Sequence, residues 1–186
     1  MTTKQDHLII EGRLFWASVH TPNSHSGKYQ VDISVDDATA ATLTSLGVPV
    51  KKEADHVDSN GVKGKYVGTE NDRKTYVTAK RSTEAKDGIQ LQKATIIDAK
   101  KQPLGAETAL GNGTKARVKV NPFEWNFKGK KGVSLGFSVI QVLDLVEFKQ
   151  SGLDGFETTE GYTGTLGTVQ NTETSTDDED PFAMTG

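Results

Sequence analysis

The sequence predicts an all-β domain, mainly β with one short helix, followed by an acidic C-terminal segment too poor in apolar residues to build a core. Three observations predict it. Between residues 7 and 146 the hydrophobic period is mostly two, carried by β-branched and aromatic residues and bounded by Gly, Pro, Asn and Asp, as in half-buried antiparallel strands. Only one stretch carries helix signals. Charge is also divided along the chain: residues 1–150 hold all 22 Lys and Arg against 17 of the 25 Asp and Glu, whereas residues 151–186 hold eight acids and no base. A length of 186 residues with 34% hydrophobic and 25% charged positions suits one domain with an appendage and excludes a large multidomain machine.

Taken in order, the expected strands cover residues 7–19, 28–35, 75–82, 90–97, 115–120 and 133–146. The helix lies between the second and third strands. Asp36 or Asp37 can cap it, residues 38–43 fill it, Gly47 can end it, and Pro49 stands just beyond. Residues 51–74 are polar, mixed in sign and without a sustained period, so they are expected to form a long loop or mobile hairpin, a feature that in a small domain is often functional. Strands of this number and spacing, with one intervening helix and a long last strand, fit a five-stranded Greek-key barrel of the oligonucleotide-binding (OB-fold) type; a sandwich is the alternative.

The segment 151–186 is rich in Gly, Thr, Asp and Glu and cannot bury enough surface to offset the entropy of ordering itself, so it is expected to be a disordered acidic tail behind a domain at 1–150. Its acids concentrate at Asp177, Asp178, Glu179 and Asp180 and lead into Pro181 and Phe182. An aromatic beside four carboxylates has the look of a docking element rather than of a merely solubilising end.

Several chemistries are disfavoured. Without cysteine there is no disulfide, thiolate metal site or thiol nucleophile. No apolar run reaches the length of a membrane span and residues 1–10 lack the features of a secretory signal, so a soluble, unexported protein is expected. Residues 111–115, GNGTK, lack the spacing of a phosphate loop and run into a strand, which favours a turn. The four histidines are scattered without a metal-binding spacing. Glu84 with Lys86, and Asp98 with Lys100, echo a nuclease element, but no paired acidic strand accompanies them. No enzyme, cofactor or metal is expected.

Binding chemistry is better signalled. In an extended strand Lys115, Arg117 and Lys119 project on one face, with Ala116, Val118 and Val120 on the other. Three like charges about 7 Å apart repel unless an anion lies along them. Next, Phe123, Trp125 and Phe127 alternate with polar residues and lead into Lys128, Lys130 and Lys131 near an expected hairpin tip. Flat side chains interleaved with cations match single-stranded nucleic acid, because bases stack on ring faces while phosphates pair with Lys and Arg. A second basic and aromatic strand, with Tyr76, Thr78 and Lys80 on one face and Arg81 opposite, is expected to supply the groove's other wall. Arg13, Phe15, Trp16 and Lys28 are weaker candidates, and Tyr29 shares the parity of core residues Val31, Ile33 and Val35.

These residues carry a resemblance. The elements GNGTK at 111–115, PFEW at 122–125 and GVSLGFSVIQVLDL at 132–145, with an acidic tail ending in DPF at 180–182, resemble the phage single-stranded DNA-binding protein family. The likeness covers roughly residues 110–146 and the tail; residues 1–109 agree in strand pattern rather than motif. It implies an OB-fold that coats single-stranded DNA during phage replication in the host cytoplasm, often as a dimer, with a tail that contacts replication proteins such as polymerase, helicase or primase. In that family the tail aromatic stands at or near the end, whereas here four residues follow Phe182. A different class stays open: a structural or adaptor phage protein whose basic stripe meets an acidic protein partner would carry the same division of charge.

Overall fold

Alternation along the strands decides the architecture. The computed structural model describes residues 7–147 and contains β1 (Leu8–Ser18), β2 (Tyr29–Ser34), α1 (Asp37–Ser45), β3 (Lys51–Lys52), β4 (Thr75–Arg81), β5 (Thr95–Ile97), β6 (Thr114–Phe127) and β7 (Lys130–Asp144). The hydrogen-bonded order is β3-β4-β2-β1-β6-β7-β5, and a further parallel pairing joins β4 to β7. That pairing closes β1, β2, β4, β7 and β6 into a five-stranded barrel, the OB-fold expected from the sequence. The expected tail, with Asp177, Asp178, Glu179, Asp180 and Phe182, lies outside the described residues. Among those described, no helix is long and apolar enough to cross a membrane.

Inward positions are the apolar members of each alternating set: Val31 and Ile33 of β2, Val77 and Ala79 of β4, Ala116, Val118 and Val120 of β6, and Leu135, Phe137 and Ile140 of β7. Burying one of the larger side chains contributes about 1.5–3 kcal/mol. Tyr29 joins this core, as its parity indicates. Twice along the β6–β7 ladder, opposite Lys115/Ala116 and Lys119/Val120, β7 carries one residue more than its partner. Such bulges bend a long strand and let it curl around a barrel.

Helix α1 begins where the Asp36 carboxylate accepts a hydrogen bond from the Thr39 N–H at 2.7 Å. It turns off at Gly47, whose φ of 80° takes the left-handed conformation that ends helices. Leu43 and Val48 reach the core.

The segment read as a long loop or mobile hairpin is a long loop pinned at both ends. Arg73, buried just before β4, donates to Glu53 at 2.5 Å and to Asp32 at 2.6 Å, and both carboxylates are buried with it. Between these ends the chain makes a 3₁₀ turn at Glu53–Asp55 and a bridge from Val57 to Lys63. The expected strand at 90–97 shrinks to Thr95–Ile97, because residues 89–93 are exposed and join no ladder beyond a single bridge from Gln90 to Glu84, while Ile96 is buried where β5 lies parallel to β7. β6, in contrast, runs seven residues beyond Val120. Past that residue the ladder with β1, which starts at Leu8, has run out, so among the described residues one edge of β6 is unpaired, and such an edge admits Pro122.

Candidate nucleic-acid interface

Because no extra residue interrupts β6, its odd positions stay on the outer face. Lys115, Arg117 and Lys119 therefore share a face with Phe123, Trp125 and Phe127, so one strand carries a run of cations followed by a run of rings. Lys115 and Arg117 are exposed and Lys119 half-buried. The expected repulsion between them is relieved from within: Glu11 of β1 pairs with Lys115 at 3.2 Å and with Arg117 at 3.0 Å. Hydrogen bonds from Arg117 and then Lys115 hold the Glu11 carboxyl below the usual carboxylate range. Arg13 stands opposite Lys115 in the register, so this face keeps a positive excess.

At the far end, β6 and β7 join through Lys128 and Gly129, both at positive φ (49° and 79°). This two-residue turn has the handedness that matches strand twist. Phe123, Trp125 and Phe127 are exposed at 37%, 39% and 65%. The Trp125 indole lies across Gly132, its register partner, where an added Cβ would meet the ring at 2.6 Å. Glycine thus lets the indole lie flat while much of its surface stays open. Lys128, Lys130 and Lys131 are exposed around these rings, and the Lys128 ammonium is 5.2 Å from the Phe127 ring centre.

A second feature occupies the outer face of β2 and β4, an open groove of about 1180 Å³. Its floor is Gln30, Asp32, Tyr76, Thr78 and Lys80; Lys51, Lys52 and residues 55–59 of the pinned loop form one side, and Trp16, His25 and Tyr66 also line it. Thr78 donates to Asp32 at 2.7 Å and accepts from the Lys51 ammonium at 3.2 Å. Burial pushes the Lys51 ammonium below the usual lysine value, with Asp32 opposing and Lys80 and Arg73 adding to the shift. The groove therefore presents a partly desolvated ammonium, with Asp32 as counter-charge and Lys80 and Arg73 adding positive charge. OB barrels bind oligonucleotides on this pair of strands.

The structure thus divides the residues expected to form one trough. β4 is separated from β6 by β7 on one side and by β2 and β1 on the other, so Lys80 looks out on a different side of the barrel from the β6 stripe. Two assignments need correction. Tyr76 has the expected outward parity, but it is only 2% exposed and the Arg73 guanidinium lies 3.9 Å from its ring centre, so no ring face is open to a base. Arg81 directs its guanidinium to the carbonyl oxygens of Gln92 (2.8 Å) and Phe137 (3.2 Å), which makes it a loop anchor.

Residues 111–114 form the expected turn, closed by Thr114 N–H on the Gly111 carbonyl. Asp98 accepts backbone hydrogen bonds from Lys100 and Gln102, and Glu84 accepts one from the Gln90 side chain, so both acid-x-lysine elements are turn devices. Sequence reasoning missed Tyr66, Lys51, Lys52, His25 and His56 at the groove. None belongs to a run with a period, and only folding of the 51–74 loop against the barrel gathers them. No cluster of three or more potential metal ligands occurs among the described residues.

No known family and no curated protein matches the chain. Solved structures do. The single-stranded DNA-binding protein of bacteriophage Enc34 in complex with ssDNA aligns with a TM-score of 0.52 and 12% identity, over 76% of this chain and 88% of that one. A C-terminal truncation of the Enc34 protein aligns at 0.51 and 12%, over 76% and 87%. The single-stranded DNA-binding protein gp2.5 of bacteriophage T7 aligns at 0.49 and 17%, over 87% and 100%. At such identities the shared property is the fold, and the Enc34 protein belongs to the kind that the sequence elements at 110–146 resemble.

Proposed function

We propose that this chain binds single-stranded DNA without sequence preference, by phosphate neutralisation and base stacking and without catalysis. The observation that carries the reading is the outer face of β6, where Lys115, Arg117 and Lys119 give way on the same parity to Phe123, Trp125 and Phe127, with Lys128, Lys130 and Lys131 at the tip. Cations spaced along an extended strand suit a phosphate chain, and each base stacked on an exposed ring adds about 1–3 kcal/mol. Lys51, Lys52 and Lys80 in the groove extend the same electrostatics to β2 and β4. That the Enc34 neighbour was solved with ssDNA supports this reading.

Titration of a fluorescent oligonucleotide at several salt concentrations, beside duplex of the same length, tests it. Neutralising about four phosphates gives a log–log salt slope near −3, at about −0.7 per contact on a single strand. A flat salt response, or binding unchanged when Lys115, Arg117 and Lys119 are all replaced by Ala, would falsify the reading and favour an adaptor that meets an acidic protein. Divalent-dependent degradation of the oligonucleotide would instead reveal a nuclease.

In this reading the protein acts in the host cytoplasm during phage DNA replication and recombination, as a homodimer. Residues 151–186 mimic a phosphate chain with their eight acids, compete with DNA, are released when DNA binds, and then recruit polymerase, helicase or primase through Asp177, Asp178, Glu179, Asp180 and Phe182. Truncation after Gln150 is expected to tighten oligonucleotide binding at low salt and to abolish polymerase pull-down. Unchanged affinity would remove the competition, and sedimentation as a monomer would remove the dimer.

A further inference from the structure

The alternation of β1 breaks at a single residue. Ile10 and Leu14 face the core at even positions, whereas Ala17 and Val19 face it at odd ones. The switch is a bulge: Phe15 pairs with Asp32 and Ser18 with Gln30, three steps on β1 against two on β2. The surplus falls at Trp16, whose φ of 50° lies in the left-handed region that a bulky side chain rarely adopts. Regular alternation would send this indole inward. The bulge instead turns it out to the surface, 40% exposed, where it lines the groove.

Other parts of the fold hold that conformation. The Trp16 N–H, freed from the strand ladder, donates to the Asn112 side-chain oxygen at 2.8 Å, and the Asn112 amide donates to Asn71 at 2.9 Å. This relay ties the bulge both to the turn before β6 and to the end of the pinned loop. The same loop carries Tyr66, whose ring lies 5.4 Å from the indole at 48°, with the Lys65 ammonium 5.5 Å from the tyrosine ring. Bulges beside functional sites re-aim side chains, and unfavourable backbone held by its surroundings clusters at such sites. A residue serving the core would be buried, and a residue serving only the bulge would be glycine.

From this we infer that Trp16 and Tyr66 form a base-stacking platform at the rim of the β2–β4 groove, set in place by the β1 bulge and crowned by Lys65 for the adjoining phosphate. The ligand is an unpaired base of a single strand, since a ring already stacked on both faces in a duplex has no face to offer. This inference rests on the single-stranded DNA reading and adds to it a second stacking site, on a different side of the barrel from Trp125.

The chain has two tryptophans, so each can be watched alone. In full-length Trp125→Phe, the emission of Trp16 is expected to be quenched by saturating oligo(dT). Trp16→Gly supplies the residue that the backbone prefers: its melting temperature should equal or exceed that of the unaltered protein, while its affinity for oligo(dT) falls about 5- to 150-fold, the worth of one stacked base. Trp16→Phe should recover most of that loss. Trp16 emission indifferent to DNA in a variant that still binds, or Trp16→Gly that binds normally, would overturn the platform and leave the broader reading standing. A Trp16→Gly protein that melts lower would assign the indole to packing and also overturn it. Failure of the unaltered protein to bind oligo(dT) would remove both.

Discussion

The groove on β2 and β4 and the ringed face of β6 use the same residue types and are built in opposite ways. The groove is a tertiary construction. Of its cations, Lys80 stands on β4 while Lys51 and Lys52 come from the short β3, more than twenty residues before the β4 positions they pair with, and its floor rests on a buried Arg73 between two buried carboxylates. The β6 face is local, six outward side chains of one strand and a two-residue turn, balanced only by Glu11 on the neighbouring strand. A surface made by one strand survives damage elsewhere in the fold, whereas a surface assembled by a pinned loop depends on its pin.

Arg73→Ala should break this contrast most sharply. It strands Asp32 and Glu53 as uncompensated buried charges, and removing one partner of such a set costs about 3–5 kcal/mol. Denaturant titration should show that loss, and, with Trp16→Phe added so that Trp125 alone is watched, quenching of Trp125 by oligonucleotide should persist under conditions where the variant is still folded. Loss of less than about 1 kcal/mol, as for exposed pairs, would mean that the pin is solvated.

Charge removal sharpens the comparison next. Replacing Lys115, Arg117 and Lys119 by Ala should shallow the salt slope by up to about 2, and replacing Lys51, Lys52 and Lys80 should remove the remainder, about 1, if DNA follows both faces, at about 0.7 per phosphate contact. A change in only one triple variant would place the phosphate path on that face alone. Glu11→Gln is a smaller change in the opposite sense: with Lys115 and Arg117 released from their partner, binding should tighten and the slope steepen by about one contact or less. Affinity unchanged in Glu11→Gln would indicate that the stripe takes no phosphate.

The smallest effect concerns pH. Burial lowers the Lys51 value and a bound phosphate would raise it again, so binding takes up a proton at alkaline pH. Affinity should therefore begin to fall at a lower pH than ordinary lysines would dictate, and Lys51→Met should remove that early step. Identical pH profiles for the two proteins would sever Lys51 from the bound strand.

Much of the barrel was legible because β2, β4 and the first half of β6 obey a simple alternation, and because Asp36 and Gly47 mark both ends of α1. The ringed face of β6 was legible for the same reason, since its residues are neighbours in sequence. What escaped was whatever the chain assembles from a distance. Glu53 and Arg73 sit in a polar stretch that reads as surface, yet they are buried against each other. The outward parity of Tyr76 was read correctly, but Arg73 covers its ring. Trp16 defeats a period-two reading altogether, because one inserted residue shifts the parity of everything after it.

The barrel is closed by its shortest junction. β4 meets β7 through only Ala79 opposite Leu135 and Lys80 opposite Gly136, whereas β1 meets β6 over seven pairs and β2 meets β4 over six. The cylinder is in effect a rolled ribbon with a small clasp. Undoing the clasp leaves the order β4-β2-β1-β6-β7 still hydrogen-bonded edge to edge, so the least costly opening of this fold is an unrolling rather than a collapse.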